Sequence, residues 1–283
     1  MHASRRLRSN RRHGDQANHQ EKVTARRPLV VEGSRTVSLL FDARGVQSCM
    51  LKDAPYELAL GYTRTMMGFL LFQPYPRRIS IIGLGGGSLA KYCYRYLPDT
   101  SIVAVEINAE VIALRERFRV PRDDDRFQVV CADGAHYVTL PGRHPDVLLV
   151  DGFHAAGLPA ELRSTSFYQQ CHRRLADDGV LVVNLMSDAP CFHRCVSSIR
   201  QVFGNAVALA PAEDSIDNVA VFAWKESIAR PTLDAMLTRA DSLQRAHTLD
   251  LRETAVRLEY GMHIDWNARA TGAAPRSRSP SSR

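Results

Sequence analysis

No apolar run in this 283-residue chain approaches the ~20 residues that a bilayer-crossing helix needs; Phe69–Phe72 and Val180–Val183 stop far short. A membrane-spanning protein is therefore not expected. The Arg-rich start carries no apolar core of the kind a secretory signal requires, so none is expected there. Paired metal-finger cysteines are missing as well. The six cysteines (Cys49, Cys93, Cys131, Cys171, Cys191 and Cys195) include no C-x-x-C. Cys191 and Cys195 lie one helical turn apart with His193 between them, but no second pair completes a zinc site, so no metal is expected. Reduced thiols and the lack of a signal suggest a cytoplasmic protein. The central part of the chain also lacks the interleaved aromatic and basic residues that stack nucleic-acid bases.

What is present is a globular composition, 45% apolar and 24% charged, with chain enough for one large α/β domain or two smaller ones. The net charge of +7 is unevenly spread. Residues 1–27 hold eight Lys/Arg against Asp15 and Glu21, and residues 267–283 hold four Arg and no acid. That leaves 25 basic and 28 acidic residues between them, so the central part is slightly acidic. Both ends read as solvated tails, at 1–28 and 267–283. Phosphate contact with nucleic acid or anionic lipid, or a transit peptide at the start, is the less favoured reading of their arginines.

Between the tails the pattern changes twice. Arg35–Phe41 and Val46–Leu51 read as strands joined by Asp42–Gly45, a hairpin signal. A helical stretch is expected from Pro55 to Phe72, so residues 29–75 form a small N-terminal β-hairpin domain with its helix. From 76 to 226, short apolar strands alternate with helices: Arg78–Gly83, Ser101–Glu106, Phe127–Cys131, Asp146–Asp151, Val180–Leu185, Ala206–Leu209 and Asn218–Trp224. Continuous apolar strands between helices predict a parallel sheet covered on both faces, of the Rossmann-like α/β class. Two helices, about Thr232–Leu243 and Leu251–Tyr260, fill residues 227–266.

The chemistry gathers at the ends of the first four of these strands. Gly83-Leu-Gly-Gly-Gly-Ser88 follows the first, and its glycines permit a sharp turn and a close approach to a ligand. Glu106 closes the second strand, where a carboxylate can accept both ribose hydroxyls. Asp133 follows the third, and is suited either to the amino group of adenine or to capping a helix. Asp151 closes the fourth. Open α/β sheets bind ligands along that edge, so an adenosine-type ligand is expected.

G-G-G-S-L, V-E-I-N-A-E-V-I, A-D-G, D-V-L-L-V-D and F-Y-Q-Q-C-H-R-R-L-A-D-D-G-V-L-V-V-N resemble the spermidine synthase (polyamine aminopropyltransferase) family. G-V-Q-S-x-M and Y-T-R-T-M resemble its divergent bacterial spermidine synthase-like branch. The resemblance runs from about residue 35 to 225. It implies a seven-stranded S-adenosylmethionine-transferase-type sheet, usually in a homodimer. The implied activity moves an aminopropyl group from decarboxylated S-adenosylmethionine, as donor substrate, to a small-molecule amine. By motif position, Glu106 would hold the ribose and Asp133 the adenine region, with Gly83, Gly85 and Gly86 along the remainder of the donor. Gln47 and Tyr62 fall near positions that shape the donor and amine sites.

Two positions depart from the family. Its spermidine-forming members read G-G-G-D-G where this chain has Ser88, and D-[ST]-x-D-P where this chain reads Asp151-Gly-Phe-His154. His154 thus stands where the family has its base, beside Asp151, and can accept a proton but cannot neutralise a distal ammonium. Asp151 and Glu161 are the nearby acids that would compensate. Loss of the acid at 88 also removes a charge that would repel a donor carboxylate. Methyl transfer from intact S-adenosylmethionine therefore stands as the alternative, with a non-catalytic adenosine-binding homologue as the third reading.

Overall fold

The computed structural model describes residues 27–42, 45–153, 157–215, 217–225, 227, 229–264 and 266. The basic tails, apart from Arg27 and Pro28, and His154 lie outside them. Two sheets organise the chain. The first is three-stranded: β1 (Leu29–Glu32), β2 (Thr36–Leu40) and β3 (Val46–Leu51) pair antiparallel in that order. The expected hairpin therefore gains a third strand. Leu-Val-Val-Glu abuts the basic tail and is too short to read as a strand alone, yet it pairs along β2 from Leu29↔Leu40 to Glu32↔Val37.

The stretch predicted as one helix from Pro55 is shorter and later. It comprises α1 (Gly61–Met66) and a 3-10 segment, Met67–Leu71, preceded by turns. Met66, Met67, Phe69, Leu70 and Leu71 are all fully buried, so the segment is packed on every side rather than on one amphipathic stripe.

The second sheet holds β4 (Arg78–Ile82), β5 (Ser101–Glu106), β6 (Phe127–Cys131), β7 (Val147–Val150), β8 (Val180–Met186), β9 (Val207–Pro211) and β10 (Asn218–Trp224). Their spatial order is β6-β5-β4-β7-β8-β10-β9. The first five are parallel, while β10 runs antiparallel to both β8 and β9. The expected parallel sheet thus carries one antiparallel strand, β10, because the β9–β10 connection, 212–217, is too short for a crossover and must reverse the chain.

Alternate residues of each strand feed opposite cores. Val147 and Leu149 join the side covered by α1, α2 (Ser88–Tyr96), α7 (Leu233–Leu243) and α8 (Leu251–His263). Leu148 and Val150 join the side covered by α5 (Thr165–Arg174) and α6 (Phe192–Phe203). Two short helices, α3 (Ala109–Ala113) and α4 (Gly134–Tyr137), follow β5 and β6. After α3 the chain turns through Arg119 at φ +53°. Among the described residues no helix is long and apolar enough to cross a membrane.

Among the described residues Lys91 is the most deeply buried cation. Lys91 of α2 is 1% exposed, and its Nζ donates to the Phe118 carbonyl at 2.8 Å. Burial, aided by the Arg119 guanidinium and opposed by Cys49, lowers its pKa from 10.5 to about 8. That difference corresponds to about 3 kcal/mol spent on keeping the charge inside. Below pH 8 the full cost is present; between pH 8 and 10.5 the unfolded chain binds more protons than the folded one, so stability rises with pH. Replacing the lysine leaves the Phe118 carbonyl unpaired, at about 1 kcal/mol. Lys91→Met is therefore expected to be the more stable protein by about 1–2 kcal/mol at pH 7, and to lose that advantage by pH 10. Urea unfolding at the two pH values checks both parts.

Candidate active site

The register of the parallel strands puts the four strand-end groups side by side. Gly83 N–H donates to the Val105 carbonyl at 2.8 Å, Ala132 N–H to Glu106 at 3.0 Å, and Asp151 N–H to Ile82 at 2.8 Å. The ends of β4, β5, β6 and β7 are therefore level, and the Gly-rich turn, Glu106, Asp133 and Asp151 share one edge. Chain order reverses between β4 and β7, so this edge is also the topological switch point where open α/β sheets open a crevice.

Gly83 has φ +96°, and a Cβ there would lie 2.2 Å from the Asp151 carbonyl oxygen, so the turn can sit against β7 only without a side chain. Gly85 is the open position: its nearest neighbour would be the Ser48 Cβ at 3.6 Å. Gly86 is instead a packing residue, with Phe118 and the Ser48 hydroxyl each 2.7 Å from an added Cβ. Ser88 faces the N-terminal sheet. Its Oγ lies 3.3 Å from the Ser48 Oγ and donates to the Cys49 carbonyl at 3.5 Å.

Glu106 braces the turn. Its Oε2 accepts from the Leu84 and Gly85 amides at 3.0 and 3.5 Å, and its Oε1 from the Asn108 amide at 2.9 Å. A carboxylate offers about four acceptor directions, so Oε1 keeps one for a hydroxyl, while Oε2 can take a second only in place of the long Gly85 contact. Asp133 caps α4, with Oδ1 accepting from the Ala135 amide at 2.8 Å; the capping geometry occupies one oxygen and leaves Oδ2 for another donor.

Asp151, Tyr62 and Gln47 are the predicted residues that meet most closely. Tyr62 Oη, on α1, lies 3.1 Å from Asp151 Oδ2 and 3.3 Å from the Gln47 carbonyl of β3, and its single proton is shared between them. Burial pushes the Asp151 carboxyl above its usual pKa, against the hydrogen bonds from Asn184 and Tyr62, which favour the charged form. Burial and the neighbouring carboxylate hold Tyr62 well above 10, so it remains a donor. Asp151 Oδ1 accepts from Asn184 Nδ2 at 2.9 Å, and Asn184 Oδ1 accepts in turn from Asn218 at 3.2 Å. Neither asparagine is among the residues predicted above. The polar interruption in Val-Leu-Val-Val-Asn-Leu is the signal that points to Asn184, since an asparagine buried at 3% exposure inside an apolar strand must have partners. Glu161 is exposed in a 3-10 turn. All six cysteines are free thiols, and no group of three or more His, Cys, Asp or Glu among the described residues could hold a metal ion.

A Rossmann-like sheet with one antiparallel strand near its edge, carrying a Gly-rich turn and acids on one crevice, defines the fold class: the α/β sheet shared by methyltransferase-like and spermidine synthase structures. A probable spermidine synthase from Corynebacterium glutamicum superposes with TM-score 0.64 at 18% identity, covering 82% of this chain and 91% of that one. Human methyltransferase-like protein 13, in complex with SAH, superposes with TM-score 0.56 at 23% identity, covering 66% and 90%. These likenesses concern the fold. The sequence goes further: residues 59–212 match the spermine/spermidine synthase domain, and a polyamine aminopropyltransferase from Neisseria meningitidis is 41% identical over 215 residues, 75% of this chain and 81% of that relative. The chain belongs to the spermine/spermidine synthase family.

Proposed function

We propose that the protein transfers an aminopropyl group from decarboxylated S-adenosylmethionine to a small amine, with Asp151 as the proton acceptor. The observation that carries this reading is the half-buried Asp151 carboxylate beside the Tyr62 hydroxyl and the Gln47 carbonyl, next to the Gly-rich turn. An ammonium cannot attack carbon, so an acceptor must lose a proton at the site. A carboxyl whose pKa is raised by burial is a better base than a solvated one, and the neighbouring oxygens can orient the remaining N–H groups.

In the proposed reaction the amine lone pair attacks the propyl carbon bonded to the sulfonium. The C–N bond forms, the C–S bond breaks, and sulfur keeps the pair as a neutral thioether. The amine's proton goes to Asp151. Glu106 would take one ribose hydroxyl on the free direction of Oε1 and the other in place of the long Gly85 contact on Oε2, and Asp133 would take the adenine side through Oδ2. Gly83, Gly85 and Gly86 would let the turn approach the donor closely. Ser88 leaves the turn neutral where the family carries an acid, and His154, three positions after Asp151 in sequence, is proposed as a second proton acceptor. By family pattern we propose a cytoplasmic homodimer.

Methyl transfer from intact S-adenosylmethionine is the second reading, favoured by the absence of a repelling carboxylate at Ser88, whose hydroxyl is committed to β3. Calorimetric titration with the two donors separates them. Aminopropyl transfer predicts tighter binding of the decarboxylated donor, and methyl transfer the reverse.

A further inference from the structure

Among the described residues, the two hydrogen-bond partners of the Asp151 side chain both lead to one end of the β9–β10 hairpin, one to its turn and the other to the first residue of β10. One anchor is reached through α1. Leu60, at the N-cap of α1, makes no side-chain cap, so no capping side chain accepts from the Gly61 amide. The Gly61 amide instead donates to Asp214 Oδ2 at 3.0 Å. An added Cβ on Gly61 would lie 1.9 Å from Asp214 Oδ1, so only glycine lets the carboxylate come this close. Arg64, one turn on, clamps the same turn: its Nε meets Glu213 Oε2 at 2.5 Å and its Nη2 meets Asp214 Oδ2 at 3.4 Å. The Glu213 amide donates to Thr65 Oγ1 at 3.1 Å, and Arg257 of α8 donates to the Ala212 and Glu213 carbonyls. Between Gly61 and Arg64 stands Tyr62, whose hydroxyl reaches Asp151.

The other anchor is Asn218, where the turn enters β10. It donates to Asn184 Oδ1, and Asn184 donates to the second oxygen of Asp151. We infer that residues 212–215 of the β9–β10 connection and Asn218 at the start of β10 position the proton-accepting carboxylate, with Asp214 acting through Gly61 and Tyr62 and Asn218 acting through Asn184. Neither Asp214 nor Asn218 touches the Asp151 carboxylate, so each is a positioning residue rather than a catalytic one. This inference rests on the aminopropyl-transfer reading for its kinetic consequence, though not for its geometry.

A double-mutant cycle in the full chain tests it, with decarboxylated S-adenosylmethionine and a diamine as substrates. Asp214→Ala is expected to lower kcat about tenfold in the otherwise unaltered protein, with donor affinity changed less than about twofold, and to add less than about twofold in a Tyr62→Phe background. Asp214→Asn, which keeps an oxygen for the Gly61 amide, recovers most of the loss. Asn218→Ala lowers kcat to a similar degree. Hydrogen exchange read on peptides spanning residues 58–66 provides an arm independent of turnover: Asp214→Ala speeds exchange there and Asp214→Asn does not. Independent, additive losses in the cycle, unchanged turnover in Asn218→Ala, or unchanged exchange in Asp214→Ala would each overturn the inference. An unmutated protein that binds donor yet makes no aminopropylated product would overturn the reading of function instead, and the exchange arm would still decide the positioning claim.

Discussion

Asp151→Asn is expected to lower kcat by about 10²–10⁴-fold, the usual worth of a positioned general base. The substitution is nearly isosteric, yet it removes the proton acceptor and turns an amide N–H₂ toward a site where Tyr62 and Asn184 both donate. Donor affinity should move by less than about tenfold, because the adenosine contacts assigned to Glu106 and Asp133 are untouched. The pH profile carries a second expectation. Burial raises the Asp151 pKa, so the base is lost by protonation at a pH above the ordinary carboxylate range. Turnover should rise with pH through that raised value, and the acid limb should disappear from whatever residual activity Asp151→Asn retains. A variant that keeps wild-type kcat and an unchanged acid limb would remove Asp151 from the chemistry.

Glu106→Ala is expected to act on the other substrate and in the other parameter. A charge-assisted hydrogen bond is worth about 1.5–3 kcal/mol, and two ribose hydroxyls would be lost together, so donor Kd should rise about a hundredfold or more. At saturating donor, kcat should change far less. The same substitution strips the Leu84, Gly85 and Asn108 amides of their acceptor, so a fall in thermal stability should accompany the loss of binding. Glu106→Gln keeps an acceptor oxygen and should fall between the two proteins on both measures. Isothermal titration and thermal unfolding on the three proteins read the two effects separately. If donor binds Glu106→Ala as tightly as it binds the unmutated protein, the ribose assignment is wrong.

These two residues were legible in the sequence for a physical reason. Buried parallel strands read as unbroken apolar runs, so the charged residue that ends each one stands out, and level strand ends then bring such residues to one edge. Val-Ala-Val-Glu and Val-Leu-Leu-Val-Asp show the pattern directly. The residues that hold Asp151 were less accessible. Asp214 meets Gly61 across 153 positions of sequence, through a helix start with no capping residue of its own, and no local spacing encodes that contact. The same absence explains why the helix expected from Pro55 begins only at Gly61. The contacts of the Ser88 hydroxyl with Ser48 and Cys49 were equally hidden, since they depend on how β3 packs over α2. The antiparallel course of β10 was hidden because a buried strand has the same apolar character in either direction. Only the short 212–217 connection betrays it.

The reaction itself is tested most directly by the nucleoside it leaves behind. The purified protein would be incubated with a diamine and either decarboxylated or intact S-adenosylmethionine, and the nucleoside and amine products identified by mass spectrometry. Aminopropyl transfer predicts methylthioadenosine from the decarboxylated donor, in equal amount to an amine heavier by one aminopropyl group, and no turnover of the intact donor. S-adenosylhomocysteine formed from the intact donor together with a methylated acceptor, or no methylthioadenosine across a series of diamines, would contradict the account.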